Sequence, residues 1–457
     1  MAKTRQVEMT SGNLLKNIVA FSIPLMLSGV LQLFYNAADL IVCSAFGEGN
    51  STAAITSTNS LTSLIVNLFM GLSVGSNVLM ARCYGMDDKE KGQRVAYTAM
   101  IFAVVIGIFV GLFGFLFTGT FLKWMGTTSD VIADSTLYLK IYFAGLPFSM
   151  VYNFGASLMR ATGDTKRPFA YLAIAGVANV LLNLVFVIVF KMNVAGVALA
   201  TITAQAISAT LVVVSLCKNK GFFHFHLKEA KFHLQEAKEI AQIGLPAGVQ
   251  GVLFSISNVL IQSSVNSLGT QVVDGNGASH SLEGFVYTVM NSIAQACVAF
   301  VSANYGAGNK QRINKIVKLC SALVVVVSLA MGGIILLFHK QLLALYVKSD
   351  EAIEAGTMRL FVILLTYFIF GLHDVFAFAM RGMGHSTKPM IVSLCGICGL
   401  RLVWIFLVFP LPQFNNLLGI VVSYPITWIV STTVQFVLMT YVYKKLKLQR
   451  PESVQIA

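Results

Sequence analysis

Four oxygen-bearing side chains, Asp39, Asn179, Asn183 and Thr201, are spaced so that helices crossing a membrane would bring them to one depth. Asn179 and Asn183 are four residues apart and share one helix face. At 1.5 Å per residue, Asn183 lies about 22 Å beyond Pro168, Asp39 about 12 Å before Gly47, and Thr201 roughly 10 Å into the next apolar run. One carboxylate, two amide carbonyls and a hydroxyl suit a hard monovalent cation. They equally suit a carboxyl group that alternates between protonated and ionised forms. The simpler alternative is that the asparagines and the threonine only bridge helices.

A second deep acid, Asp374, stands seven residues before Arg381. Arg401, twelve residues beyond Pro389, would lie at about 18 Å against about 10–12 Å for Asp374, a gap that an arginine side chain could partly close. The pair is either a structural ion pair or one that protonation or substrate breaks. Glu283 falls near the outer start of its apolar run, where an interfacial position is the simpler reading. Cys395 and Cys398 have redox or zinc spacing, but they lie inside an apolar run without a second pair and read as small fillers. His224, His226 and His233 sit in a polar connector and read as solvated. No metal site and no cofactor are expected.

The elements that must hold these residues are membrane helices. The chain is 56% hydrophobic and 11% charged with a mean hydropathy of +0.76, too apolar for a soluble surface at this length. Apolar runs of about twenty residues, enough to cross roughly 30 Å of hydrocarbon as helices, fall near 17–43, 53–82, 93–117, 133–158, 168–190 and 194–217. Six more follow near 239–266, 281–304, 314–338, 357–380, 389–410 and 415–443. Period-two alternation is absent, which excludes a transmembrane barrel.

The chain also contains itself twice. Met159–Pro168 (MRATGDTKRP) returns as Met380–Pro389 (MRGMGHSTKP), 221 residues on, and Tyr84-Gly85 returns as Tyr305-Gly306. Pro24, Gly29-Val30-Leu31 and Gly47 recur at Pro246, Gly251-Val252-Leu253 and Gly269, 222 residues on. Six spans per repeat make the two halves parallel, with a pseudo-two-fold axis along the membrane normal. The expected organisation is an amino-terminal lobe at 1–217, a cytoplasmic connector at 218–238, a carboxy-terminal lobe at 239–443 and a cytoplasmic tail at 444–457. The buried charges do not repeat: Asp39 is matched by Ile261, and Asp374 by Asn153.

Of the 32 basic residues, only Lys123, Lys191, Lys340 and Lys348 fall in outer loops, and Lys140, Arg359 and Arg401 within spans. The remainder face the cytoplasm if both termini lie there, so the positive-inside rule sets the topology of a multi-pass protein of the inner (plasma) membrane. Basic loops on anionic lipid account for the net charge of +13 without nucleic acid. The polar or mixed start before a long span containing Pro24 does not read as a cleavable signal. A Walker motif is absent, which excludes a P-loop pump and leaves an ion gradient as the energy source. Seven cysteines without a soluble outer domain argue against a disulfide framework.

Taken together, the paired Arg-x-x-Gly-(x)4-Pro elements, Pro24 fifteen residues before Asp39, and the elements Gln32–Asp39 (QLFYNAAD) and Glu283–Tyr287 (EGFVY) resemble the multidrug and toxic compound extrusion (MATE) family. The resemblance runs from about residue 14 to 443. It implies an all-α, twelve-helix antiporter, not an enzyme, that exports organic, often cationic or aromatic, compounds in exchange for H+ or Na+ by alternating access. By the same resemblance Asp39, Asn179, Asn183 and Thr201 map onto a cation site, Asp374 onto a coupling acid of the second lobe, and Pro24 onto a hinge. Arg401, Asn153, Gln32, Tyr35 and Asn36 are candidates for an ion pair or the substrate cavity. The stretch Val249–Ser264 lacks the acid of NorM-like members, and asparagine stands at 183 where some DinF-like members have aspartate; the chain is similar to the DinF-like branch more than the NorM-like one. The remaining alternatives are a lipid-linked sugar flippase, which usually carries more cavity arginines and lysines, and a membrane-embedded transferase, which would need an acidic metal cluster. A small-molecule substrate, lipid neighbours and a functional monomer complete the expectation.

Overall fold

The computed structural model describes residues 6–46, 51–218 and 221–446. Gly47 and the tail beyond Leu446 lie outside the described residues. Twelve long helices account for most of the rest: α1 Leu14–Phe46, α2 Ser51–Met86, α3 Lys89–Trp124, α4 Ile132–Ala161, α5 Lys166–Val189 and α6 Asn193–Cys217, then α7 Leu234–Asn266, α8 Thr270–Gly306, α9 Lys310–Leu337, α10 Asp350–Gly382, α11 Thr387–Val408 and α12 Leu417–Lys445. Eleven of them are long and apolar enough to span a membrane; α4 is the remaining one. No strand occurs among the described residues.

The duplication governs local structure down to single turns. Asp88 caps α3 by accepting the Lys91 N–H at 2.9 Å, and Asn309, 221 residues later, caps α9 by accepting the Arg312 N–H at 3.0 Å. The residue before each cap is left-handed, Asp87 at φ 55° and Gly308 at φ 70°. The Arg-x-x-Gly elements end α4 and α10 on left-handed Gly163 and Gly384, at φ 86° and 93°. Packing repeats as well. Helix α4 packs against α2, α3 and α6, and α10 takes the same place against α8, α9 and α12. At equivalent positions Ser57 and Ser135 bond through their hydroxyls at 2.8 Å, and Ser279 Oγ donates to the Gly356 carbonyl at 2.9 Å. Such small residues let helix backbones approach closely where lipid supplies no hydrophobic drive.

Two compact units result. Unit 1 comprises residues 1–8 and 27–244, and unit 2 comprises 9–26 and 245–457. Division therefore falls inside α1 and α7, close to the helix-interior prolines Pro24 and Pro246. Proline removes a backbone hydrogen bond from the helix interior, which weakens the ladder at these two places. Compared with lobes at 1–217 and 239–443, unit 1 gives up residues 9–26 and takes in the connector through Gly244. Within unit 2, Asn304 Nδ2 donates to the Met9 carbonyl at 2.9 Å, and Phe21 meets Phe300 edge-on at 5.4 Å. Within unit 1, Arg94 bonds Glu236 at 2.9 Å and Lys91 bonds Glu239 at 3.1 Å.

The connector is packed as well as solvated. Phe223 and Phe225 are buried in the unit 1 core, with Phe225 5.3 Å from the Tyr97 ring, while His224 and His226 are exposed. Large apolar side chains face outward along α3, where Phe113, Phe117, Phe121 and Trp124 form a ladder of ring contacts. An exposed ladder of this kind fits a lipid-facing surface with an interfacial aromatic end.

Candidate functional site

Unit 1 brings Asp39, Asn179, Asn183 and Thr201 into one hydrogen-bonded cluster. Asn183 Nδ2 donates to Asp39 Oδ1 at 2.5 Å and to Asn179 Oδ1 at 3.3 Å. Thr201 Oγ1 donates to Asp39 Oδ2 at 3.4 Å and to the Val197 carbonyl, one turn back, at 3.0 Å, while Asn179 Nδ2 reaches Thr201 Oγ1 at 3.5 Å. Both asparagines are buried, and Asp39 is half-buried. The i, i+4 spacing on α5 stacks the two amides, and α1 and α6 supply the carboxylate and the hydroxyl. Asn183 Oδ1 is buried with no hydrogen-bond partner among the described residues. A buried carbonyl without a donor costs free energy, and beside a carboxylate it is a ready ligand for a cation or an added proton.

Neighbouring candidates divide. Tyr35 inserts its ring over Gly176 of α5, where any Cβ would collide with it, and its hydroxyl lies 3.4 and 3.3 Å from the Leu172 and Ala173 carbonyls. It therefore docks α1 on α5 four residues from Asp39. Gln32 and Asn36 are exposed on α1 and join no bond of the cluster. Asn153 donates to the Ser149 carbonyl of its own helix at 2.9 Å and stays apart from the cluster. Pro24 is buried inside α1, in the segment belonging to unit 2.

Asp374 and Arg401, both in unit 2, do not pair. Asp374 Oδ1 lies 3.3 Å from Nδ1 of the fully buried His373. The other His373 nitrogen lies 3.1 Å from Ser393 Oγ and 3.4 Å from Gln435 Nε2. Arg401 instead stacks on Tyr424, its guanidinium carbon 3.9 Å from the ring centroid, and donates to Thr427 Oγ1 at 3.3 Å. Depth alone allowed an Arg401–Asp374 pair; the face of α12 that meets α11 presents an aromatic ring and a hydroxyl instead.

The sequence reading also underrates Glu283. It is buried inside unit 2 and accepts Arg359 Nε and Nη2 at 2.8 and 2.7 Å, while Arg359 Nη1 donates to Asn276 Oδ1 at 2.8 Å. Asn276 in turn donates to Gln262 Oε1 at 3.3 Å. One signal for this network was present: the repeat positions equivalent to Glu283 and Arg359 are Leu61 and Tyr138, so both charges are departures from symmetry. His373, opposite Tyr152, is another. Among the described residues no group of three or more His, Cys, Asp or Glu could hold a metal ion.

Comparison with known proteins follows the same repeat. A family model described as MatE matches residues 24–185 and, a second time, 246–407. Two Bacillus subtilis (strain 168) proteins are similar along most of their lengths. The probable multidrug resistance protein YoeA is 26% identical over 445 residues, 95% of each chain. The probable multidrug resistance protein YpnP is 28% identical over 396 residues, 86% of this chain and 88% of its own. A solved structure described as the outward-facing conformation of a multidrug resistance MATE family transporter of the MOP superfamily shares the fold, with a TM-score of 0.91 at 21% identity over 98% of this chain and 100% of that one. Asp39, Asn179 and Asn183 fall inside the first family match, Asp374 and Arg401 inside the second, and Thr201 between the two. A twofold match over most of a twelve-helix chain, in register with its own internal duplication, makes this a multi-pass membrane protein that belongs to the MatE family.

Proposed function

We propose that this protein exports organic cations and aromatic compounds across the cell's plasma membrane by proton-coupled antiport, as a monomer surrounded by lipid and with both termini cytoplasmic. The carrying observation is the Asp39–Asn183–Asn179–Thr201 cluster, a carboxylate held by neutral donors inside membrane-spanning helices. An ionisable group in that position is costly and is kept for use. Family membership and the multidrug resistance names of the two relatives support drug export; neither favours the lipid-linked sugar flippase or a transferase.

The choice of proton over sodium rests on the donor arrangement. Both Asp39 oxygens already accept an N–H or O–H, and Asn179 Oδ1 is occupied by Asn183. A bare cation would require several of these oxygens to turn inward at once, around a single carboxylate. A proton needs one carboxylate oxygen and the release of one donor. Protonation neutralises Asp39, loosens its hold on α5 and α6, and frees α1 to bend near Pro24, while return of the proton to the cytoplasm resets the cluster. Asp374, 3.3 Å from His373, is the proposed coupling acid of the second lobe. The missing acid in Val249–Ser264 supports placement nearer the DinF-like branch than the NorM-like one, while the asparagine at 183 departs from the aspartate of some DinF-like members. Inside-out vesicles in a bath containing a fluorescent cationic dye test the proposal. An imposed pH gradient drives uptake and a sodium gradient does not; the opposite result overturns proton coupling.

A further inference from the structure

Two guanidinium groups flank the ring of Tyr424 in unit 2, Arg401 at 3.9 Å and Arg359 at 5.2 Å from the centroid. Their surroundings differ in charge. Arg359 is neutralised by the two-oxygen grip of Glu283 and satisfied further by Asn276. Arg401 is 4% exposed, and among the described residues no acidic side chain forms an ion pair with it. It spends one N–H on Thr427, and its Nε–H is buried without an acceptor. A guanidinium carries five donors in a planar fork, so Arg401 holds a whole charge and most of its hydrogen-bonding capacity in reserve. The Tyr424 ring offsets only part of that burial.

The backbone singles out the same place. Arg401 sits on a short α-helical turn, Leu400–Val403, between two π-helical stretches, Leu394–Gly399 and Trp404–Val408. Widened turns of this kind concentrate at functional sites. Helix α5, its repeat equivalent, has one π stretch, Val185–Val189, and carries valine at position 180 where α11 has Arg401. From Tyr424 an aromatic wall continues: Trp428 lies 5.7 Å away, and Tyr367 and Phe370 each stack on Trp428 at 5.4 Å.

We propose that Arg401 recognises a carboxylate on an aromatic substrate whose rings lie along the Tyr424–Trp428–Tyr367 wall. The carboxylate takes the unused N–H fork as a charge-assisted, two-bond contact, so Arg401 decides how strongly a carboxylate-bearing ligand is preferred to its ester. Glu283 has a defined part in this arrangement: by cancelling Arg359 it leaves the cluster with one net positive charge, matched to one carboxylate. This inference rests on the export reading for its consequence but not for its chemistry, which is one of binding.

The test uses full-length protein and two probes that differ by one carboxylate, rhodamine B and its ethyl ester. Fluorescence anisotropy with purified protein gives both affinities, and proton-driven uptake into proteoliposomes gives transport. In Arg401→Gln the affinity ratio of rhodamine B to ester falls at least tenfold, about the value of a hydrogen-bonded charge contact. In Arg401→Lys, which keeps the charge without the fork, it falls less. A ratio unchanged in Arg401→Gln, whether both affinities drop or neither does, overturns the proposal and makes Arg401 a structural cation. Absence of proton-driven uptake of either dye, with the binding ratio responding as expected, refutes the export reading and leaves the carboxylate site standing.

Discussion

Removing the Glu283 carboxylate should destabilise unit 2 far more than removing the whole ion pair. Glu283 and Arg359 are 4% and 3% exposed, and three charge-assisted bonds join Arg359 to Glu283 and Asn276 at 2.7–2.8 Å. Breaking a buried pair from one side costs about 3–5 kcal/mol. Glu283→Leu also exposes Arg359 to Arg401 across the same Tyr424 ring. Their distances to the centroid, 5.2 and 3.9 Å, allow a separation of no more than about 9 Å, where two unit charges repel by ~2 kcal/mol at an effective dielectric constant of ~20. For a body the size of unit 2 the combined loss lowers Tm by on the order of 10 °C. Arg359→Met costs less, because an unpaired carboxyl group can take up a proton whereas an arginine cannot shed one. The double variant Glu283→Leu with Arg359→Met recovers to within about 2 kcal/mol of wild type. Thermal unfolding of the purified detergent-solubilised protein, followed by tryptophan fluorescence, reads all three. If the losses of the single variants simply add in the double variant, the two side chains are not coupled and the proposed charge balance around Tyr424 is wrong.

Two further outcomes follow from the site and the connector. Asn183→Asp places a second carboxylate against Asp39 and turns the cluster toward cation binding, so sodium stimulates dye transport in the variant but not in the wild type; indifference to sodium in both would remove the argument from a single carboxylate. Phe225→Ala opens the packing against Tyr97 at a cost of about 3–5 kcal/mol, and trypsin then cuts the connector after Lys228 or Lys231 at least tenfold faster than in wild type; equal rates would mean that the connector is not held by its aromatic residues.

What the sequence made legible was whatever depends on spacing along one helix. A fixed rise per residue was enough to bring Asp39, Asn183 and Thr201 to one level, and the cluster forms there. The repeat extends in the structure to turns as local as Asp87 and Gly308, because backbone punctuation is carried by a few residue types. Azimuth was not legible. Arg401 and Asp374 were matched by depth, yet which way each side chain turns is decided by neighbours on other helices, Tyr424 in one case and His373 in the other. Glu283 seemed interfacial because its partner, Arg359, is 76 residues away and long enough to meet it inside the unit. The boundaries of the units were obscured for a related reason: α1 and α7 are continuous as helices, while their packing partners change partway along each, near Pro24 and Pro246. Phe223 and Phe225 bury a connector whose composition reads as polar, since two aromatic anchors weigh little in an average.

The central claim, that Asp39 couples proton movement to export, is tested most directly by dye accumulation in proteoliposomes at zero membrane potential with an imposed pH difference. For a monovalent dye exchanged one for one with protons, each pH unit supports about tenfold accumulation. Wild type should reach that gradient, and Asp39→Asn, which keeps the size of the side chain but cannot exchange a proton, should only equilibrate the dye. Accumulation by Asp39→Asn to the wild-type gradient would contradict the account.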